Sequence, residues 1–112
     1  MALNINLTEK EGVVIVNLEG NLDTNTAPEA EAKIDESLAA GTAKIVINLE
    51  NTKYVSSAGL RVFLATAKKM TAAGGAVKLC SPNVVVQEIL DISGFSTILD
   101  VKGTEEEALA NI

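Results

Sequence analysis

The chain has 112 residues, 47% of them hydrophobic, and its 9 basic and 15 acidic side chains give a formal net charge of -6. This length predicts a single domain over residues 1–112, and a domain of this size buries roughly two-thirds of its unfolded surface. Phosphate groups would be repelled by the negative field, because no Lys/Arg cluster offsets it. We therefore expect neither nucleic acid nor a membrane as a partner.

Histidine is absent from the chain, and the single cysteine is Cys80. Ser-His-acid and Cys-His catalysis both need an imidazole, and structural zinc sites need more Cys or His ligands. No Gly-Lys-Ser/Thr ending of a phosphate-binding loop occurs either. We predict a protein that is not an enzyme and that needs no metal and no cofactor. A lone cysteine, which we expect to be buried in a strand, and a start without signal-peptide character favour the cytoplasm.

The N-terminal half reads as a hairpin, a helix and a buried strand. Alternating apolar residues predict strands over Leu3–Leu7 and Val13–Leu18, joined by a tight turn. The segment Thr26–Glu29 is typical of a capping box, with proline in the first helical turn. The helix that it starts should end at Gly41, and the apolar run Lys44–Leu49 predicts the third strand.

The C-terminal half continues this alternation. Leucine, phenylalanine and methionine recur at helical spacing after Ser57, and Ala76–Cys80 predicts a strand. A third helix should open at Ser81-Pro82 and end near Gly94. The segment Phe95–Val101 has the pattern of an edge strand, and Thr104–Glu107 predicts a second capping box with a short helix behind it.

This order of elements predicts an α/β fold with a mixed sheet and about four helices. An N-terminal antiparallel hairpin should join strands that are parallel at the centre of the sheet. Functional sites in such sheets lie beyond the carboxyl ends of the parallel strands. The loop Glu50–Ser57 leaves the carboxyl end of the third strand and enters a helix. A serine at that point could cap the helix, carry a phosphate or attack a substrate.

With these motifs the chain resembles the STAS domain, the anti-sigma-factor antagonist family of bacteria, over nearly its whole length. The resemblance is strongest in Tyr54-Val55-Ser56-Ser57-Ala58-Gly59-Leu60. Further matching segments are Gly20–Asp23, Ile45–Leu49, Leu79–Pro82, Leu90–Phe95 and Glu106–Leu109.

The resemblance implies a switched protein-binding module. In the family, an anti-sigma factor that is itself a kinase phosphorylates a serine, and the unphosphorylated antagonist binds that kinase and frees the sigma factor. Aligning Gly59-Leu60 places the phospho-acceptor at Ser57. A phosphatase that removes the phosphate would be a second partner. The family's preceding aspartate falls on Ser56, a common glycine falls on Arg61, and Asn48 stands where aspartate is frequent. These departures affect the expected kinase specificity and not the fold.

The expected partner-binding residues are Asp23, Ser56, Ser57, Gly59 and Arg61, and each has a structural alternative. Ser57 could only start the helix, and Ser56 could be its cap. Gly59 could allow close packing, and Asp23 could form an Asx-type hydrogen bond in its loop. Arg61 lies one helical turn beyond Ser57, where it could pair with a phosphate or remain solvated.

Three functions stay open on the sequence. The first is an anti-sigma-factor antagonist that acts as a monomer or weak dimer. The second is a STAS scaffold or transporter-regulating subunit whose serine is only structural. The third, an enzyme with Ser57 as nucleophile, is disfavoured by the missing histidine.

Overall fold

The computed structural model describes residues 3–112, so Met1 and Ala2, at the start of the expected domain, lie outside the described residues. Strands and helices alternate along the chain. In chain order the elements are β1 (Asn4–Lys10), β2 (Val13–Leu22), α1 (Ala27–Ala39), β3 (Lys44–Asn48), β4 (Thr52–Val55), α2 (Ser57–Ala72), β5 (Ala76–Cys80), α3 (Val84–Ile92), α4 (Phe95–Ile98), β6 (Val101–Lys102) and α5 (Glu105–Asn111).

The sheet is mixed, as predicted. Its strand order is β1-β2-β3-β5-β6, and β4 pairs with β2 away from that path. The β1 strand is antiparallel to β2, whereas β2, β3, β5 and β6 run parallel to their neighbours. The antiparallel hairpin and the parallel centre are both confirmed, and residues 3–112 contain four helices of seven residues or more together with the one-turn α4.

Apolar side chains cover both faces of the sheet. The larger cluster joins the sheet to α1, α2 and α3, and it includes the fully buried Phe63, Met70 and Leu90. A smaller cluster on the opposite face packs Ala108 of α5 against β2, β3 and β5. Cys80 belongs to this second cluster, and burial raises the pKa of its thiol to about 11. The expectation of a buried strand cysteine is confirmed.

Two segments differ from the sequence expectation. The predicted edge strand Phe95–Val101 is wrong, because Phe95–Ile98 forms the helical turn α4 and only Val101–Lys102 pairs in the sheet. Gly94, at a φ of 82°, turns the chain directly from α3 into α4. The predicted loop Glu50–Ser57 contains the strand β4, which runs parallel to the end of β2.

Two boundaries also moved. The second strand extends four residues beyond the predicted Leu18, to Leu22, so the segment Gly20–Asp23 is strand for most of its length. The third helix begins after Asn83 instead of at Ser81-Pro82, because the Asn83 side chain caps it by accepting from the Val86 N–H at 2.7 Å.

Candidate functional site

The site is built where β2 and β4 end side by side. Beyond a register shift at Gly20, Asn21 pairs with Tyr54 and Leu22 pairs with Val55. The Ser56 N–H then donates to the Leu22 carbonyl at 2.8 Å. Both strands are parallel, so the chain after Leu22 and the chain after Val55 leave the same edge together. The two loops therefore lie side by side, and the strand that leads into the second one is β4 and not β3 directly.

Ser56 and Ser57 have different roles at the start of α2. Ser56 is the N-cap residue, with an extended backbone, and its Oγ accepts a hydrogen bond from the Gly59 N–H at 3.4 Å. Ser57 is the first helical residue, and its side chain is exposed. Within residues 3–112 the Ser57 hydroxyl makes no hydrogen bond. The capping that the sequence allowed for either serine is therefore done by Ser56, which leaves the Ser57 hydroxyl unused by the fold.

Gly59 is required by packing. A Cβ built on Gly59 would lie 2.8 Å from Leu22 Cγ, 2.9 Å from the Leu22 carbonyl oxygen and 2.9 Å from Val55 Cγ1. Real Cβ atoms do not approach other heavy atoms this closely, so any side chain would push α2 away from β2 and β4. Gly59 is also buried, so it shapes the surface around Ser57 without being part of that surface.

Asp23 organises the neighbouring loop. Its Oδ1 accepts from the Asn25 N–H at 3.0 Å and from the Thr26 N–H at 3.1 Å. The predicted Asx-type hydrogen bond is thus present, and Asp23 satisfies an amide at the start of α1. The Thr26 hydroxyl does not cap α1 as predicted, because it donates to the Asn21 carbonyl at 2.8 Å and accepts from the Asp23 N–H at 2.9 Å. Asp23 is half-buried, so part of the residue remains accessible at the surface.

Cations without ion pairs line the exposed side of α2. Arg61 and Lys68 are exposed and form no ion pair within residues 3–112. Lys69 differs, since its Nζ lies 2.7 Å from Asp35 and 3.6 Å from Glu31, and the hydrogen bond with Asp35 raises its pKa. These ion pairs connect α2 to α1.

A groove runs between α1 and α2 beside these cations. Its volume is about 480 Å³. It is lined by Thr24, Ala27, Pro28, Glu31, Ala58, Arg61, Val62, Leu64, Ala65 and Lys68. Apolar side chains therefore form much of its wall, with Arg61 and Lys68 on the α2 side. The groove lies beside Ser57, because its wall includes Ala58, the next residue of α2, and Arg61, one turn further along.

The first turn of α2 suits an anion. Its leading N–H groups have no intrahelical partner, and the helix dipole adds partial positive charge there. No acidic residue occupies that turn, and Arg61 follows one turn later. A phosphate attached to the Ser57 hydroxyl would find free amides, a favourable dipole and a nearby guanidinium.

Other chemistry has little support among the described residues. Residues 3–112 contain no group of three or more His, Cys, Asp or Glu side chains that could hold a metal ion. In the same range, no helix is both long and apolar enough to cross a bilayer. Tyr54, which lies in the predicted Glu50–Ser57 loop two residues before Ser56, is exposed on β4 and adds an aromatic side chain to the surface around Ser57.

The sequence matches the profile of the STAS domain over residues 4–108. It is also similar to the anti-sigma F factor antagonist of Paenibacillus polymyxa, with 33% identity over 113 residues, covering 100% of this chain and 97% of that protein.

Solved structures share the fold. The crystal structure of an anti-sigma factor antagonist from Mycobacterium paratuberculosis superposes with a TM-score of 0.90 at 23% identity, covering 98% of this chain and 93% of that one. The Bacillus cell fate determinant SpoIIAA in its phosphorylated form superposes with a TM-score of 0.74 at 24% identity, covering 96% and 98% of the two chains.

Proposed function

The chain belongs to the STAS domain family, and on that basis we propose that it is an anti-sigma factor antagonist whose binding is switched at Ser57. Unmodified, it binds an anti-sigma factor that is also a serine kinase, and it thereby frees a sigma factor. Phosphorylation of Ser57 by that kinase ends the complex, and a phosphatase restores it. The protein acts in the cytoplasm by binding and not by catalysis, as a monomer or weak dimer.

The observation that carries this proposal is the unused hydroxyl of Ser57. A serine kept only to start the helix would be expected to cap it, and Ser56 already does so. The scaffold alternative, in which the serine is purely structural, gives no reason for an exposed, unbonded hydroxyl at this position. A relative at 33% identity is named an anti-sigma F factor antagonist, and SpoIIAA, which has the same fold, is described in a phosphorylated form.

The switch follows from charge. Phosphorylation adds about 1.5 to 2 negative charges and three acceptor oxygens. The first turn of α2 accommodates this anion, so the antagonist stays folded. A partner that had packed against a neutral hydroxyl must instead desolvate a charge, which costs several kcal/mol when it is unpaired. Moving a two-state equilibrium from 1:99 to 99:1 takes roughly 5.5 kcal/mol, which charge and steric bulk can supply together.

The test compares three variants against purified anti-sigma serine kinases of the same genome. With ATP, mass spectrometry should find one phosphate on the parent protein and on Ser56→Ala, and none on Ser57→Ala. Ser57→Ala should bind the kinase as the parent does. Ser57→Glu should bind at least about 100-fold more weakly, a loss of about 2.7 kcal/mol. It should also give an unchanged circular dichroism spectrum.

Two outcomes would overturn the proposal. One is normal phosphorylation of Ser57→Ala, which would place the acceptor elsewhere. The other is a Ser57→Glu protein that binds as tightly as the parent, which would leave the serine without a switching role and would favour the scaffold function.

A further inference from the structure

Helix α3 exposes apolar side chains on the face that points away from the core. Val84 is 82% exposed, Val85 is 51% exposed and Ile92 is 83% exposed. The opposite face holds Val86 and Leu90, both fully buried. A helix that is apolar on both faces is usually covered on both. The outer face of α3 therefore has the character of a contact surface without its partner.

Acidic residues share this outer face. Glu88 lies one turn after Val84 and one turn before Ile92, and Asp91 borders the same face by helical spacing. Both carboxylates are exposed, and neither forms an ion pair within residues 3–112. An anionic lipid surface would be repelled by these groups and by the net charge of -6. A second copy of the chain would bring the same charges together. The complementary occupant is a protein with an apolar cleft bordered by Lys or Arg.

The outer face is also joined to the switch site. The Asn83 side chain caps α3 through its Oδ1 and donates from Nδ2 to the Thr52 carbonyl at 3.0 Å. Thr52 opens β4, the strand that presents Tyr54 and leads into Ser57. Tyr54 is 47% exposed, so a further apolar side chain lies on the strand between the two sites. A partner that covers Ser57 and Tyr54 has α3 directly beside it.

We propose that the Val84, Val85, Glu88 and Ile92 face of α3 is a second docking site for the anti-sigma factor, which inserts it into an apolar cleft bordered by basic side chains. The inference rests on the proposed function and adds a helix-in-groove contact to it. Because the phosphate is on α2, this contact keeps its chemistry in both states of Ser57. The α3 contact contributes the same binding free energy whether or not Ser57 is phosphorylated, and the contact at Ser57 contributes the part that phosphorylation changes.

The test measures dissociation constants for the same purified kinases with Val84→Lys, Ile92→Lys and Glu88→Lys. Each should weaken binding by about tenfold or more, as truncation of interface anchors does. Leu7→Lys is the matched control, since Leu7 is 39% exposed on β1 and lines a groove beside Lys33, Glu36 and Ser37 of α1, away from the α3 face. It should bind within about twofold of the parent. All four should melt within a few degrees of the parent, and Val84→Ser and Ile92→Ser replace any lysine variant that does not.

The results separate the two claims. If the α3 variants bind as the parent does while Ser57→Glu loses binding, the docking site is wrong and the proposed function stands. If Ser57→Glu also binds normally, or no kinase binds the parent, the proposed function fails. Sedimentation that shows a dimer broken by Val84→Lys would assign the face to a second copy and overturn the inference. Flotation of the parent, but not of Val84→Lys, with phosphatidylserine vesicles would also overturn it by assigning the face to a membrane.

Discussion

Two helices of this protein begin in the same way and end up with opposite electrostatics. In α2 the Ser56 hydroxyl accepts from the Gly59 N–H at 3.4 Å, and in α5 the Thr104 hydroxyl accepts from the Glu107 N–H at 3.1 Å. The first turn of α5 contains three glutamates, Glu105 to Glu107, whereas the first turn of α2 contains none. At the same point α2 carries the exposed Ser57.

The difference shows that the dipole of α5 is already compensated at its N-terminus, whereas that of α2 is not. The glutamates of α5 compensate its dipole permanently, and Glu105 also accepts from the Asn48 amide at 2.8 Å and lies 3.7 Å from Lys10 Nζ. The dipole of α2 has no such partner in its own first turn. A covalently attached anion would be attracted to the N-terminus of α2 and repelled by the three glutamates at the N-terminus of α5. Three pairs of substitutions, one member of each pair at α2 and the other at α5, test how far this contrast extends.

The largest difference in stability should come from two glycines, Gly59 in the first turn of α2 and Gly103 just before the cap of α5. Gly59→Ala should lower the free energy of unfolding by about 1–3 kcal/mol, because its methyl group would overlap Leu22 and Val55. Gly103→Ala, just before the cap of α5, meets only Glu107 Oε1 at 3.4 Å and should cost well under 1 kcal/mol. Urea denaturation measures both. Equal losses would mean that the start of α2 is no more tightly packed than that of α5.

The next effect concerns the two caps. Ser56→Ala should cost about 1–2 kcal/mol and Thr104→Ala about 0.5 kcal/mol. The Ser56 hydrogen bond is longer, yet Gly59 is buried, so its N–H could not turn to water, while Glu107 is exposed. Thermal unfolding of the two variants at one pH gives the comparison. A larger loss for Thr104→Ala would show that the 3.4 Å contact of Ser56 contributes little.

The smallest effect is the charge itself. Ser57→Asp should stabilise the fold by about 0.3–1 kcal/mol, since it places a carboxylate at an uncompensated helix start. Glu106→Gln should destabilise by about 0.3 kcal/mol or slightly more, since it removes one of the three carboxylates of α5. Both changes should shrink in 1 M salt. Destabilisation by Ser57→Asp at low salt would contradict the anion-accepting character of the α2 start.

The sequence predicted this architecture well where the pattern was long. The apolar runs of β3 and β5 and the helical spacing after Ser57 each extend over enough residues to favour one period. Four-residue segments gave no such signal. Thr52–Val55 pairs only with the end of β2, and Phe95–Ile98 is a single turn, too short to establish a period.

Capping residues show the same limit at the level of the site. Asp23 and Thr26 are both good N-cap types, three positions apart, and the sequence favoured Thr26 because Glu29 follows it. In the fold the Thr26 hydroxyl donates to the Asn21 carbonyl at the end of β2, so it does not cap α1. The Asp23 carboxylate accepts from the Thr26 N–H instead. That choice depends on a strand contact which no local pattern encodes. At the start of α2 the sequence left capping open to Ser56 or Ser57, and the structure assigns it to Ser56.

The pinned backbone around Ser57 also bears on how a kinase could reach it. The Ser56 N–H donates to the Leu22 carbonyl at 2.8 Å, and the Leu60 N–H donates to the Ser56 carbonyl at 2.9 Å. Gly59 packs against Leu22 of β2 and Val55 of β4. A kinase that drew Ser57 into its cleft as an extended segment would have to unwind the start of α2. An enzyme that modifies Ser57 in place must read a rigid, assembled surface, so its recognition belongs to the tertiary structure and would be lost in a short peptide of the same sequence.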